Sequence, residues 1–280
     1  MRRLLILAVS LYLVVISLGA PTKSRADANE HLVLARPIPR AGKPSRVDRG
    51  FPYGWTRYDK SPIHHGVDFE NGLGVPVVAA ADGTVNFAGN DSQTVVGPQP
   101  NFYGNVVVVS HAISAEGAPV STLYGHLNTV LVQAGQQVKA GQKIGTVGMT
   151  GIALWYHLHF EVRVGDPHDY NAVRNPELWL VPQPGRGTLV GRMVDMNGGL
   201  AMGIKLIVHR AGYTAPSWTY ADPVMHSDPA YHENFTVGDL PAGCYELSVR
   251  DNNGGYATSQ KVCVTAGHTS FVDVKVGKIY

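Results

Sequence analysis

The stretch Tyr156-His157-Leu158-His159-Phe160-Glu161-Val162-Arg163 alternates polar and apolar residues. A period of two is the pattern of a half-buried strand. Residues i and i+2 of a strand point the same way, so His157, His159 and Glu161 share one face and Leu158, Phe160 and Val162 the other. Two imidazoles fixed side by side can both ligate a metal, or one can ligate while the other handles a proton. Alone, the pattern also suits two solvated histidines on an edge strand. Further ligands separate these readings, and the chain supplies them. His64-His65-Gly66-Val67-Asp68 offers an imidazole and a carboxylate, both of which zinc accepts. One strand histidine added to His64 and Asp68 makes three protein ligands, and three ligands with an open fourth position describe a catalytic rather than a structural zinc. Another histidine, His126, stands in Thr122-Leu123-Tyr124-Gly125-His126-Leu127. The helical His-Glu-x-x-His signature is absent from the sequence, which excludes a thermolysin-like site.

Elements that would position these residues are short and β-rich. Val75 to Ala81, Gly83 to Ala88, Asn105 to His111, Ser121 to His126 and Lys143 to Gly148 are runs of β-branched residues divided by Gly, Asn and Asp. No segment carries a long helical period. Asp91 to Phe102, with two prolines and a glycine, reads either as a wall of the cleft or as a surface insertion. Ala134-Gly135-Gln136-Gln137-Val138 is echoed by Ala140-Gly141-Gln142-Lys143-Ile144. Such turns also occur in biotin and lipoyl carriers, but Lys139 lacks the hairpin frame that a carrier lysine needs.

His-x-Gly-x-Asp, then Tyr-Gly-His-Leu, then His-Leu-His-Phe-Glu resembles, in that order, the lysostaphin-type (LytM-like) zinc endopeptidases that cut peptide bonds of bacterial cell walls. The resemblance runs from about Tyr53 to about Val181. It implies that His64, Asp68 and His159 bind Zn2+ and that His126 and His157 form the catalytic pair. One departure concerns the loop before the strand. Where the family has small residues, this chain has Ala153-Leu154-Trp155-Tyr156, a difference that bears on substrate preference more than on chemistry. The resemblance gives the general-base role to histidine, so Glu161 is left as a charge partner of Arg163. His65 is expected outside the first ligand shell or exposed, and His111 as a support.

The chain has 280 residues, a net charge of +2, a pI near 8.5 and 16% charged residues. That length accommodates about two domains, and no dense basic patch marks a nucleic-acid partner. Met1-Arg2-Arg3 followed by the apolar run Leu4–Leu18 and by Ala26-Asp27-Ala28 reads as a signal peptide over 1–28, with an uncleaved anchor as the alternative. Residues 29–52, rich in proline and basic residues, read as a solvated linker. Residues 53–183 form the expected peptidase domain.

After Pro182-Gln183-Pro184-Gly185 the pattern changes to short strands, expected to form a small β-sandwich over 187–280. Leu240-Pro241-Ala242-Gly243-Cys244-Tyr245 resembles a turn of carboxypeptidase regulatory-like and Cna-B-like domains. Cys244 and Cys263 are the only cysteines. Pairing about the turn Asn252-Asn253-Gly254-Gly255 sets them opposite each other, with Glu246 facing Lys261 and Ser248 facing Ser259. In an exported protein this register predicts a disulfide. His209, His226, His232 and His268 lack ligand spacing and read as surface.

The fold expected is therefore mainly β, an antiparallel-sheet peptidase domain with a narrow groove followed by a small sandwich. The function expected is that of a secreted, monomeric zinc endopeptidase acting on peptidoglycan peptides. Two alternatives stand beside it: a non-catalytic wall-binding or hydrolase-activating module, and an extracellular peptidase of Gly-rich proteins.

Overall fold

The structure is a computed structural model that describes residues 30–39, 45–222, 225–250 and 256–277. The signal segment 1–28 and the turn Asn252–Gly255 lie outside the described residues. Among those described, regular structure is almost entirely β, the exception being a 3-10 turn at Pro176–Leu178.

Ten strands build the first half: Val67–Glu70 (β1), Pro76–Val78 (β2), Gly83–Asn90 (β3), Asn105–Ala115 (β4), Ala118–Gly125 (β5), Leu127–Val130 (β6), Gln137–Val138 (β7), Lys143–Val147 (β8), His157–Val164 (β9) and Val173–Arg174 (β10). A seven-stranded sheet runs β1-β9-β5-β4-β3-β7, with β10 also on β9. The smaller sheet β2-β8-β6 packs against it. Their shared core holds Val77, Leu127, Ile144 and Val147 from the small sheet with Val107, Val109, Leu158 and Phe160 from the large one.

β9 is not the half-buried strand that its alternation predicts, because all eight of its residues are buried. The apolar side faces the main core. The polar side is roofed by a second cluster, in which Val96 and Tyr103 from the 91–103 segment meet Val106, Val108 and Leu123. That segment is thus a wall rather than a loose insertion. Asp91 secures it by accepting hydrogen bonds from the Tyr103 and Gly104 amides at 2.9 and 3.0 Å.

The described part of the expected linker is not solvated. Leu34, Ile38 and Val47 are buried in the main core. Leu34 bridges Leu180 in parallel, and the Val78 amide donates to the Pro37 carbonyl at 2.9 Å. Prolines exclude this segment from a regular sheet without excluding it from the core. Widely spaced apolar residues are enough to bind it there.

Seven strands make up the second half: Arg186–Val194 (β11), Lys205–Arg210 (β12), Tyr213–Trp218 (β13), Phe235–Pro241 (β14), Gly243–Arg250 (β15), Tyr256–Val264 (β16) and Thr269–Lys275 (β17). They form sheets β14-β11-β17 and β13-β12-β15-β16. Leu189, Phe235 and Val274 of the first sheet share one apolar cluster with Leu206, Leu247 and Val262 of the second. β11 and β17 pair in parallel, while the other pairs are antiparallel. Across β15 and β16, Cys244 faces Cys263, Glu246 faces Lys261 and Ser248 faces Ser259. The two cysteines are joined in a disulfide. Closing a loop of this length contributes on the order of 3 kcal/mol by constraining the unfolded chain.

The halves are not beads on a string. Val190, Tyr220, Met225 and Tyr231 belong to the main core of the first half. Tyr220 meets Tyr53 edge to face at 5.2 Å, and Trp218 stacks on Trp55 at 5.0 Å. The approach at Gly54 is so close that a Cβ there would sit 2.6 Å from the Tyr220 ring. Below, Glu177 binds Arg49 at 2.6 Å and accepts from the Gly238 amide at 2.9 Å.

Candidate metal and catalytic centre

The register between β1 and β9 places Asp68 directly opposite His159. His64 enters from the preceding turn. That turn passes so close to β9 that a Cβ on Gly66 would lie 2.4 Å from the Phe160 carbonyl and 2.9 Å from the His159 ring. Glycine is therefore required in His64-His65-Gly66-Val67-Asp68. The outcome is a triangle of ligand atoms. His64 Nε2 lies 3.1 Å from Asp68 Oδ1 and 3.2 Å from His159 Nδ1, and His159 Nδ1 lies 3.0 Å from Asp68 Oδ1. A tetrahedral zinc with bonds of about 2.0 Å has ligand atoms about 3.3 Å apart, so the triangle fits one face of such a site. All three residues are buried.

The hydrogen bonds behind the triangle fix the tautomers it needs. His64 Nδ1 donates to the Phe51 carbonyl at 2.6 Å, which leaves Nε2 its lone pair. His159 Nε2 donates to Glu161 Oε1 at 3.1 Å, which leaves Nδ1 its lone pair. Glu161 is itself held by Arg163 at 2.8 Å and by the Tyr103 hydroxyl. This carboxylate–imidazole relay is the arrangement that orients a metal-binding histidine and raises its basicity. The expected pairing of Glu161 with Arg163 is present, and Glu161 has a second role toward His159. The signal was in the sequence, because Glu161 lies two residues beyond His159 on the same face.

Electrostatics favour a cation here. Burial alone would raise the Asp68 pKa, but His64 and His159 hold it well below the ordinary carboxylate range. Burial would lower His159, but hydrogen bonds to Asp68 and Glu161 push it up to about 9. Burial likewise opposes ionisation of Glu161, yet Arg163 and His159 bring it down to about 2. Two carboxylates around one imidazole demand positive charge, which a proton or a metal ion can supply.

His126 and His157 stand beside the triangle. Their rings are 4.8 Å apart, and His157 Nε2 is 3.6 Å from Asp68 Oδ1. Each has its Nδ1 fixed on a carbonyl, His126 on Thr150 at 2.8 Å and His157 on Trp155 at 2.9 Å. Both therefore keep a lone pair on Nε2. His126 holds a left-handed φ of 59°, an uncommon conformation for a residue with a side chain. Burial pulls its pKa down to about 3, with help from His159 and His157. Burial also lowers His157. Both shifts favour the neutral imidazole over the imidazolium.

Other candidates lie elsewhere. His65 stacks on Tyr170 at 3.8 Å and bonds its carbonyl, at the cleft edge. His111 is buried on β4 against Thr122 and the Asp82 carbonyl, away from the triangle. In the second half, His209 faces Glu246, and His268 faces Glu30 of the N-terminal segment. At the triangle opens a cavity of about 150 Å3, whose lining includes Phe51, Arg57 and Ile63 from the segment before β1 and Ile152, Leu154 and Trp155 from the segment before β9. Phe51 and Arg57 in that lining carry no sequence pattern that marks them as site residues.

Residues 62–172 match the model of peptidase family M23. This stretch is similar to M23 peptidase domains. The chain is 41% identical over 101 residues to an uncharacterized metalloprotease of Haemophilus influenzae, covering 36% of this chain and 18% of that protein. Against the peptidoglycan DD-endopeptidase ShyB of Vibrio cholerae it is 41% identical over 101 residues, covering 36% and 20%. Against the murein hydrolase activator NlpD of Salmonella typhimurium it is 40% identical over 98 residues, covering 35% and 22%. The chain thus spans about a fifth of the length of these relatives. Within the matched residues fall His64, Asp68, His126, His157 and His159, whereas Phe51 and Arg57 precede them.

Proposed function

We propose that this chain is a zinc endopeptidase that hydrolyses peptide bonds of bacterial peptidoglycan. The observation that carries the reading is the buried His64–Asp68–His159 triangle, with ligand atoms 3.0–3.2 Å apart and the tautomers of both histidines set by second partners. Bound there, zinc would supply a water of lowered pKa and polarise the scissile carbonyl. The protein's own groups do the rest. His126 and His157 are neutral, with Nδ1 protons held by carbonyls, so each Nε2 is set to accept a proton from the attacking water. The same histidines, once protonated, can return that proton to the leaving amine or support the developing oxyanion.

Similarity to an endopeptidase that acts on peptidoglycan supports the substrate class. Export after removal of residues 1–28 fits that substrate. The second half is proposed to be a regulatory-like or Cna-B-like sandwich in a monomeric enzyme. Similarity to a hydrolase activator gives the competing reading, in which the chain stimulates another enzyme and cuts nothing itself. Purified full-length chain incubated with peptidoglycan should release new amino groups. A chelator should stop the release and added zinc should restore it. Absence of new amino groups, with stimulation of a partner hydrolase, would favour the activator reading instead.

A further inference from the structure

The cleft carries one Arg or Lys among its lining residues, Arg57, and the structure holds it in an unusual way. Its guanidinium carbon lies 4.4 Å from the Phe51 ring centroid and 4.8 Å from that of Trp155. Both rings line the cleft, from segments far apart in sequence. Phe51 in turn stacks on His64 at 4.1 Å with the planes 8° apart, and its carbonyl accepts the His64 Nδ1 proton. A continuous stack therefore runs from Trp155 through Arg57 and Phe51 to a corner of the ligand triangle. Arg57, Tyr58 and Asp59 adopt φ values of 51°, 58° and 60°. Successive left-handed residues with side chains cost about 1–2 kcal/mol each, and such strain persists where the surroundings hold it for a task.

The groups around Arg57 are short of acceptors. Among the described residues Arg57 makes no hydrogen bond or ion pair, and its guanidinium is held by the two rings. Trp155 Nε1 is buried with no acceptor. Both carboxylates that line the cleft are already engaged, Asp68 by the histidines and Glu161 by Arg163 and His159. Glu70, outside the cleft, feels the charge of Arg57 but forms no ion pair with it. Stacking uses the faces of a guanidinium and leaves its N–H rim for a planar, bidentate acceptor.

We propose that Arg57 is a specificity-determining residue that binds a carboxylate of the peptide substrate, so that the cleft selects acidic peptides over uncharged ones such as glycine runs. This rests on the peptidase reading above. The carboxylate can come from a side chain or from a free C-terminus, and the stack directs either toward the wall adjoining His64.

The test uses the full zinc-loaded chain and three synthetic peptides: one with a single glutamate and a free C-terminus, its glutamine analogue, and its C-terminal amide. Binding by calorimetry and cleavage by release of amino groups are both measured. One of the two neutralised peptides should bind and be cleaved about tenfold or more worse than the acid, as the loss of a charge-assisted hydrogen bond implies. Which one loses identifies the source of the carboxylate. In Arg57→Gln the acid-to-neutral ratio should fall to about one, while Arg57→Lys, which keeps a point charge, should retain part of it. Equal handling of all three peptides, or an unaltered ratio in Arg57→Gln, overturns the proposal. Preferential binding of the acid without cleavage would uphold the carboxylate site and reject the peptidase reading.

Discussion

The imidazole of His159 lies between two carboxylates, with Nδ1 3.0 Å from Asp68 Oδ1 and Nε2 donating to Glu161 Oε1 at 3.1 Å. Glu161 reaches no other ligand of the triangle, so its effect on a metal must pass through His159. Glu161→Gln keeps the shape but removes the charge. We expect it to weaken zinc binding by about 10–100-fold, the usual cost of losing such a partner. His64→Ala, Asp68→Ala and His159→Ala should each abolish stoichiometric binding. Zinc titration against a competing chelator measures all four, and undiminished affinity in Glu161→Gln would remove Glu161 from the relay.

His126 and His157 should separate metal binding from turnover. Neither belongs to the triangle of ligand atoms. His126→Ala and His157→Ala are expected to keep one zinc per chain while turnover falls about 10²–10⁴-fold, the range for loss of a positioned proton-transfer group. Metal content and initial rates on the same preparations give the answer. Loss of zinc in either variant would move that histidine into the ligand set.

The second half should be integral to the stability of the first. The sequence reading, with its linkers, implies that a fragment ending near Gly185 folds and works alone. The structure argues otherwise, since Tyr220 is buried against Tyr53 and Gly54 and bonded to Asn175 at 3.1 Å. Tyr220→Ala should cost about 3–5 kcal/mol, as for other large buried aromatics. Denaturant unfolding of the full chain measures this, and the fragment should unfold at still lower denaturant. A fragment as stable as the whole would refute the coupling.

Stability should also respond to pH through Glu233. This carboxyl is buried in the second half, where the Tyr220 hydroxyl and the Asp228 amide donate to it at 2.9 and 2.8 Å. Burial raises its pKa from 4.5 to about 8 despite those bonds. The folded state therefore holds a proton that the unfolded state releases above about pH 4.5. Stability from this group is full below pH 4.5 and is lost as pH rises toward 8, by up to a few kcal/mol on the order set by 1.36 kcal/mol per unit. Glu233→Gln should be less sensitive between pH 5 and 8, and the difference between the two proteins isolates the contribution of Glu233. Parallel stability–pH curves would show that Glu233 is ionised in the fold.

What the sequence determined by itself is local. Alternation over 157–163 puts His157, His159, Glu161 and Arg163 on one face because a strand repeats every two residues. The spacing of Cys244 and Cys263 about a glycine-rich turn sets their register for the same reason. What it misstated is burial. β9 reads as half-buried because its pattern records only its own polarity, and not the roof that the 91–103 segment lays over its polar face. Residues 29–52 read as a spacer because prolines mask the few apolar residues, Leu34, Ile38 and Val47, that anchor them. Tertiary structure alone decided the convergence of His64, Asp68 and His159, the relay through Glu161, and the stack of Trp155, Arg57 and Phe51 on His64. These contacts join residues distant in sequence, with no period to announce them, and they exist only when buried apolar surface repays the entropy of bringing the segments together.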